Sequence, residues 1–348
     1  MMLIENPHRP AGLEHSLLAD IPLPEADPAR VLSRLARCPV AAPTPLIAAP
    51  ELAAEIGVGA LWLKDERGRM GLGSFKALGA AHAIAAEAEA GPGQLQGRVY
   101  VTASAGNHGL SVAAGARAFG ARARVYIART VPESFAERLR AAGAEVRREG
   151  ADYEASMAAA AGAAREEGLD YLPDSSSPGE VTRPHLVMEG YLALMAEVAE
   201  QLDEPPSHVL LQAGVGGLAG ACAAFVRATW GGAPVIAVVE PEAAPALQGS
   251  IRAGAPVAAQ GPVSIMGRLD CKEPSLIALK GLARDADLFL TVTEDEAQAA
   301  TDLAAARGLA TTPSGAAGLA GLIALAGSGH PLAPGGGARV LAILSEAA

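Results

Sequence analysis

Four short segments pair residue types able to do chemistry with glycines that give a ligand room. The first is Ser74-Phe75-Lys76. A lysine just inside a helix start stands where the helix dipole favours negative charge. That placement helps keep an amine neutral enough to form a Schiff base. Taken alone, a surface lysine is the simpler account. The second is Ser104-Ala105-Gly106-Asn107-His108-Gly109, a turn between an apolar run and a helix. Exposed N–H groups there suit a substrate carboxylate, and Asn107 offers an amide donor. Ser104 or Asn107 is equally able to act as a plain helix cap, and His108 by itself reads as a structural histidine.

The third segment is Gly214-Val215-Gly216-Gly217-Leu218, again between a strand and a helix. Backbone N–H groups at a helix N-terminus form an anion hole, and glycine permits close approach of a phosphate. The same run, GVGGLA, fits the G-x-G-x-x-G/A dinucleotide pattern. Glu240 ends the next strand, where a ribose-binding acid would sit. A nicotinamide-dependent dehydrogenase therefore stays open at this point. The fourth segment is Ser314 in TTPSGAAG, a hydroxyl that either caps a helix or faces a ring nitrogen.

These segments need a scaffold, and the hydrophobic pattern supplies one. Strands are predicted at 60–66, 98–103, 122–128, 144–149, 208–212, 234–240 and 338–344. Helices are predicted at 75–90 (ended by Gly91-Pro92), 109–120, 133–143, 152–167, 186–202, 217–230, 294–307 and 314–327. Apolar strands alternating with helices imply parallel sheets covered on both faces. Residues 1–40 are Pro-rich and weakly periodic, which predicts an extended arm.

The 348 residues suffice for two lobes. A net charge of −11 and the lack of any Lys/Arg run argue against a nucleic-acid partner. Cys38, Cys222 and Cys271 are widely spaced and odd in number, so neither a disulfide framework nor a metal site is expected. The N-terminus has no apolar signal core, and no stretch has spanning length without Gly, Pro or charge. The expectation is a cytoplasmic protein without membrane contact.

In this order, SFK, AGNHG, GVGGL and PSG resemble the fold type II pyridoxal-phosphate (PLP) enzymes, the threonine dehydratase and cysteine synthase family. Within it, KDERGRMGLGSFKALGAAHAIA, TASAGNHG, LLQAGVGGLAG and SIMGRLDCKEPS are similar to diaminopropionate ammonia-lyases. The resemblance implies an α/β fold of tryptophan synthase β type. Residues 1–75 and 180–348 would form a large PLP-binding domain, and 76–179 a small mobile one. It implies a homodimer acting on a small amino acid.

Roles follow by position. Lys76, after Phe75, would carry PLP as a Schiff base. Asn107 would bond the ring's phenolic oxygen, Gly214 to Leu218 the phosphate, and Ser314 the pyridine nitrogen. Ser104, Ala105, Gly106, Asn107 and His108 would hold substrate, with Asp174 as base on the L-isomer. The implied reaction is α,β-elimination to a 2-oxo acid and ammonia. A threonine or serine dehydratase, a β-replacement synthase and a silent PLP-binding protein are the alternatives.

This chain also departs from the pattern. Ala105 stands where relatives carry an aspartate used on the D-isomer. Residues 175–180 lack the usual Trp and Tyr. Arg268 and Lys272 replace glycines, which suggests a substrate with an extra carboxylate or simply solvated loop charges.

Overall fold

A computed structural model describes residues 1–91 and 93–348. Its strands are β1 (Leu3–Glu5), β2 (Leu46–Ala48), β3 (Ala60–Asp65), β4 (Val99–Ala103), β5 (Arg122–Ile127), β6 (Ala144–Arg148), β7 (Asp170–Tyr171), β8 (His208–Gln212), β9 (Val235–Pro241), β10 (Leu288–Val292) and β11 (Arg339–Leu344). They form a seven-stranded sheet ordered β1-β10-β9-β8-β11-β3-β2 and a four-stranded sheet ordered β6-β5-β4-β7. All neighbours in the small sheet run parallel. In the large sheet only the edge strands β1 and β2 are antiparallel. Helices cover both sheets, as continuous apolar strands such as Val99–Ala103 and Leu288–Val292 require.

The strand orders decide where a ligand can sit. In the small sheet the chain runs outward from β4 through β5 to β6, then returns to place β7 on β4's other side. In the large sheet β8, β9 and β10 step one way, while β11 and β3 lie on the opposite side of β8. Such reversals open a crevice beyond the strands' carboxyl ends. The Ser104–His108 turn follows β4 and the Gly214–Leu218 turn follows β8.

Several elements differ from the sequence-based expectation. The arm is not merely extended: it adds β1 to the large sheet and forms a helix at Ala29–Leu35. The Asn6 amide donates to the carbonyls of Ala283 and Ala286, capping the Leu276–Asp285 helix. The 186–202 helix is two, Thr182–Gly190 and Leu192–Gln201. The 75–90 helix is observed as Lys76–Ala88, and Pro92 lies outside the described residues.

The segment leading to Lys76 is held by a buried ionic cluster. Arg69 donates to Glu66 at 2.7 Å and to Glu197 at 2.7 and 2.8 Å. Lys64 donates to Glu197 at 2.6 Å and to the Thr44 carbonyl at 2.8 Å. The cluster joins β3, the turn after it and the Leu192–Gln201 helix. Burial disfavours a charged Glu197, but the bonds and charges of Arg69 and Lys64 outweigh it and hold the carboxyl below its ordinary range. Glu197→Gln should therefore destabilise the fold by about 3–5 kcal/mol, because two buried cations lose their shared partner. Urea denaturation would measure this. A depressed pKa means the stabilisation is complete above the ordinary carboxyl range and is lost as pH falls through the lowered value. The gap between wild type and mutant should narrow below that range.

Candidate active site

A cavity of about 600 Å³ lies between the two sheets' carboxyl ends. It is lined by Phe75, Lys76, all of Ser104 to His108, Asp174 and all of Gly214 to Leu218. Elements from both halves thus bring the predicted residues to one place, with one exception. Ser314 is not on the cavity wall; it is buried, and its Oγ accepts the Arg268 backbone N–H at 3.0 Å. Ser345 and Glu346, just past β11, occupy the wall instead. Accepting that N–H leaves the Ser314 hydroxyl's own proton without an acceptor among the described residues, while the carboxyl end of β11 reaches the cavity.

Lys76 opens the Lys76–Ala88 helix, and its N–H is held by Ser74 Oγ at 3.1 Å. Its Nζ lies 2.5 Å from Asp174 Oδ2. Both side chains remain about a fifth exposed, at 20% and 21%, so the pair faces the cavity. Burial opposes charge on each partner, yet their mutual attraction outweighs it. Lys76 is raised above its ordinary value, and Asp174 is held well below the carboxylate range. The proton therefore rests on the amine, because Asp174 outweighs the helix start expected to keep it neutral. The Phe75 and Tyr191 rings flank it, their centroids 5.5 and 5.9 Å from Nζ.

Asp174 owes its position to residues that carry no motif. Ser176, two positions on, is buried, and its Oγ lies 2.8 Å from Ser275 Oγ and accepts from Ile277 N–H at 2.9 Å. Ser275 N–H in turn donates to the Val215 carbonyl at 2.9 Å. The serine run thus laces the Asp174 segment to the glycine turn.

That turn fits a phosphate. It precedes the Gly217–Trp230 helix, and the N–H groups of Gly214, Gly216, Gly217 and Leu218 have no acceptor among the described residues. Val215 N–H faces the Cys271 thiol, which burial pushes up to about 12. Gly216 has φ +96°, and a Cβ there would stand 2.9 Å from Leu247. A Cβ at Gly214 would meet Cys271 Sγ and the Leu269 Cα at 3.0 Å. Glycine is needed at both positions, and converging donors are left for an anion.

On the opposite side, the Asn107 amide donates to Glu346, which also accepts from the Thr312 hydroxyl. His108 is buried, and burial lowers its pKa. Its Nε2 lies 2.9 Å from the Leu172 carbonyl, so Nε2 carries the proton. His108 is a neutral structural residue whose bare Nδ1 has no partner among the described residues.

Glu240, the acid on which a dinucleotide reading depended, is fully buried. Its oxygens accept the N–H groups of Leu247 and Gln248 at 2.8 and 2.7 Å, and burial pushes its pKa up to about 8. It anchors a helix start and is closed to a ribose.

Comparison with known proteins agrees with this geometry. Residues 38–346 match the family described as pyridoxal-phosphate dependent enzyme. The chain belongs to that family. A diaminopropionate ammonia-lyase of Salmonella typhimurium is 32% identical over 290 residues, 76% of this chain and 72% of the relative. One from Escherichia coli K12 is 30% identical, covering 73% and 69%. The crystal structure of the Escherichia coli enzyme with an aminoacrylate-PLP azomethine reaction intermediate superposes with a TM-score of 0.85 at 27% identity, covering 99% of this chain and 93% of that one. The cofactor is pyridoxal 5'-phosphate. Among the described residues no helix is long and apolar enough to cross a membrane, and no His/Cys/Asp/Glu group is arranged to hold a metal.

Gly217 offers the cleaner test of the phosphate turn. A Cβ there meets only ordinary contacts, Met188 at 3.5 Å and Tyr191 at 3.6 Å, whereas Gly216 cannot be replaced without strain. Gly217→Asp sets a carboxylate at the helix start and should weaken PLP binding roughly tenfold or more. Fluorescence titration of the folded mutant with PLP would read this directly.

Proposed function

We propose that the protein is a PLP-dependent ammonia-lyase acting on a small β-substituted L-amino acid of diaminopropionate type, releasing a 2-oxo acid and ammonia. The observation that carries this reading is the Lys76–Asp174 pair at 2.5 Å, set between an anion-binding glycine turn and the Ser104–His108 turn. The named relatives support the same reaction class.

Gly214 to Leu218 would hold the cofactor's phosphate, Lys76 would bind its carbonyl carbon, and Asn107 would orient its ring. When bound, PLP supplies an electron sink for the pair left as Cα–H breaks. Lys76 and Asp174 share the proton handling. Beside an ammonium, Asp174 is a weak base; it takes up a proton only once the charge on Lys76 is removed. The amine is the stronger base of the two. The Ser104–His108 turn presents N–H donors for the substrate carboxylate, so the face on which Cα–H points is fixed. Ala105 can carry no proton, and of the ionisable groups on the wall Asp174 and Lys76 are the pair in direct contact between the two turns. The Phe75 and Tyr191 rings flank the amine and favour its charged form.

In this reading residues 76–179 act as a smaller mobile domain against 1–75 and 180–348. The resemblance alone further supports a homodimer in the cytoplasm.

Borohydride should fix the cofactor covalently to the wild-type chain at Lys76, as read by peptide mass spectrometry. Lys76→Ala should remain unlabelled. Turnover should be confined to L-amino acids, and Asp174→Asn should lose about two to four orders of magnitude in rate. Equal turnover of D- and L-diaminopropionate would refute the single-base assignment. Normal turnover by Asp174→Asn would move the base role to Lys76.

A further inference from the structure

Four residues on the cavity wall can bear positive charge, and one of them makes no side-chain hydrogen bond among the described residues. Lys76 is paired with Asp174. Lys272 donates to the Ala243 and Pro262 carbonyls at 2.8 and 2.9 Å and to Asp270 at 2.6 Å, so all three of its donors have acceptors. His108 is neutral. The fourth is Arg268. Its backbone is fixed by Ser314, and its guanidinium lies over the Phe135 ring, 5.6 Å from the centroid. Its Cζ and Nε stand 3.2 Å from where a Cβ on Gly106 would be, flat against the turn suited to substrate. The side chain is 37% exposed. Among the described residues no acceptor hydrogen-bonds its side chain. Its charged neighbour is the Glu346 carboxylate, a long ion pair at 3.6 Å from Nε, whose oxygens make their hydrogen bonds with Asn107 and Thr312.

We infer that Arg268 reads a second carboxylate on the substrate, so that the preferred substrates are β-substituted amino dicarboxylic acids. The inference rests on the elimination reading for the reaction and on Arg268 alone for the charge. A planar guanidinium with unengaged donors matches a carboxylate in a two-bond fork. One such cation beside Glu346 suits a single negative charge better than a phosphate dianion. With 3-hydroxyaspartate the reaction balances without another reagent. Cα–H leaves as a proton, and the Cβ–O bond breaks with its pair on oxygen, which departs as water. The enamine then takes up one water to give a 2-oxo dicarboxylic acid and ammonia.

The test uses holoenzyme and substrate pairs that differ by one carboxylate: serine against 3-hydroxyaspartate, and 2,3-diaminopropionate against 2,3-diaminosuccinate. Wild type should favour the dicarboxylate in kcat/KM. Arg268→Ala should lower that preference about 10- to 100-fold, mainly through KM, as expected for hydrogen bonds to a charged group. Arg268→Lys should fall between. Succinate should bind wild-type holoenzyme more tightly than propionate by calorimetry, and Arg268→Ala should abolish the difference. If no amino acid is turned over while succinate binding still depends on Arg268, the elimination reading fails and the carboxylate site stands. If Arg268→Ala lowers both members of each pair alike, or if O-phosphoserine is preferred to 3-hydroxyaspartate, the inference is overturned.

Discussion

An ammonium and a carboxylate held 2.5 Å apart in the crevice between the two sheets form the constraint on which this structure turns. Neither charge would persist there alone, since burial drives each toward its neutral form. Together they are stable only while both backbones are fixed. Lys76 is fixed from behind by Ser74 and by the Arg69–Glu66–Glu197 cluster. Asp174 is fixed by the Ser176–Ser275 link to the glycine turn. The polar groups far from the cavity are therefore not incidental: they hold the two segments whose side chains must meet.

Much of this was legible in the sequence, for identifiable reasons. The central strands are apolar on both faces, so β3, β4, β5, β8, β9 and β11 stand out from their surroundings. The lysine, the Ser104–His108 turn and the glycine turn carry local chemistry that survives without tertiary context. The strand Leu288–Val292 escaped notice because it sits between polar runs with no turn signature of its own. The Leu276–Asp285 helix went unread because its apolar positions mean something only when packed against the Gly217–Trp230 helix.

At the site, sequence reasoning missed what depends on strand order. Ser345 and Glu346 look unremarkable in ILSEAA, and only the placement of β11 between β8 and β3 brings them to the cavity. Ser314 stood out because it sits in a motif, and its oxygen also accepts the Arg268 backbone N–H, a bond the motif does not announce. Arg268 and Lys272 looked alike as charges replacing glycine. The structure separates them: among the described residues the lysine has three hydrogen-bond acceptors, and the arginine's side chain has only a long ion pair to Glu346. That distinction has no trace in residue type or spacing.

The position of β11 has a bearing on how the molecule is built. Among the described strands it is the last to leave the ribosome, yet it lies in the middle of the large sheet, paired on both edges. Until it is made, β3 and β8 have no partner between them, and the two halves of the sheet cannot register. Phe75 N–H pairs with the Ser345 carbonyl and Ala347 N–H with that of Gly73, so the segment before Lys76 waits on the same event. Contacts between such distant parts of a chain are slow to form. The cofactor's lysine and its phosphate turn are both synthesised before the strand that completes the wall between them.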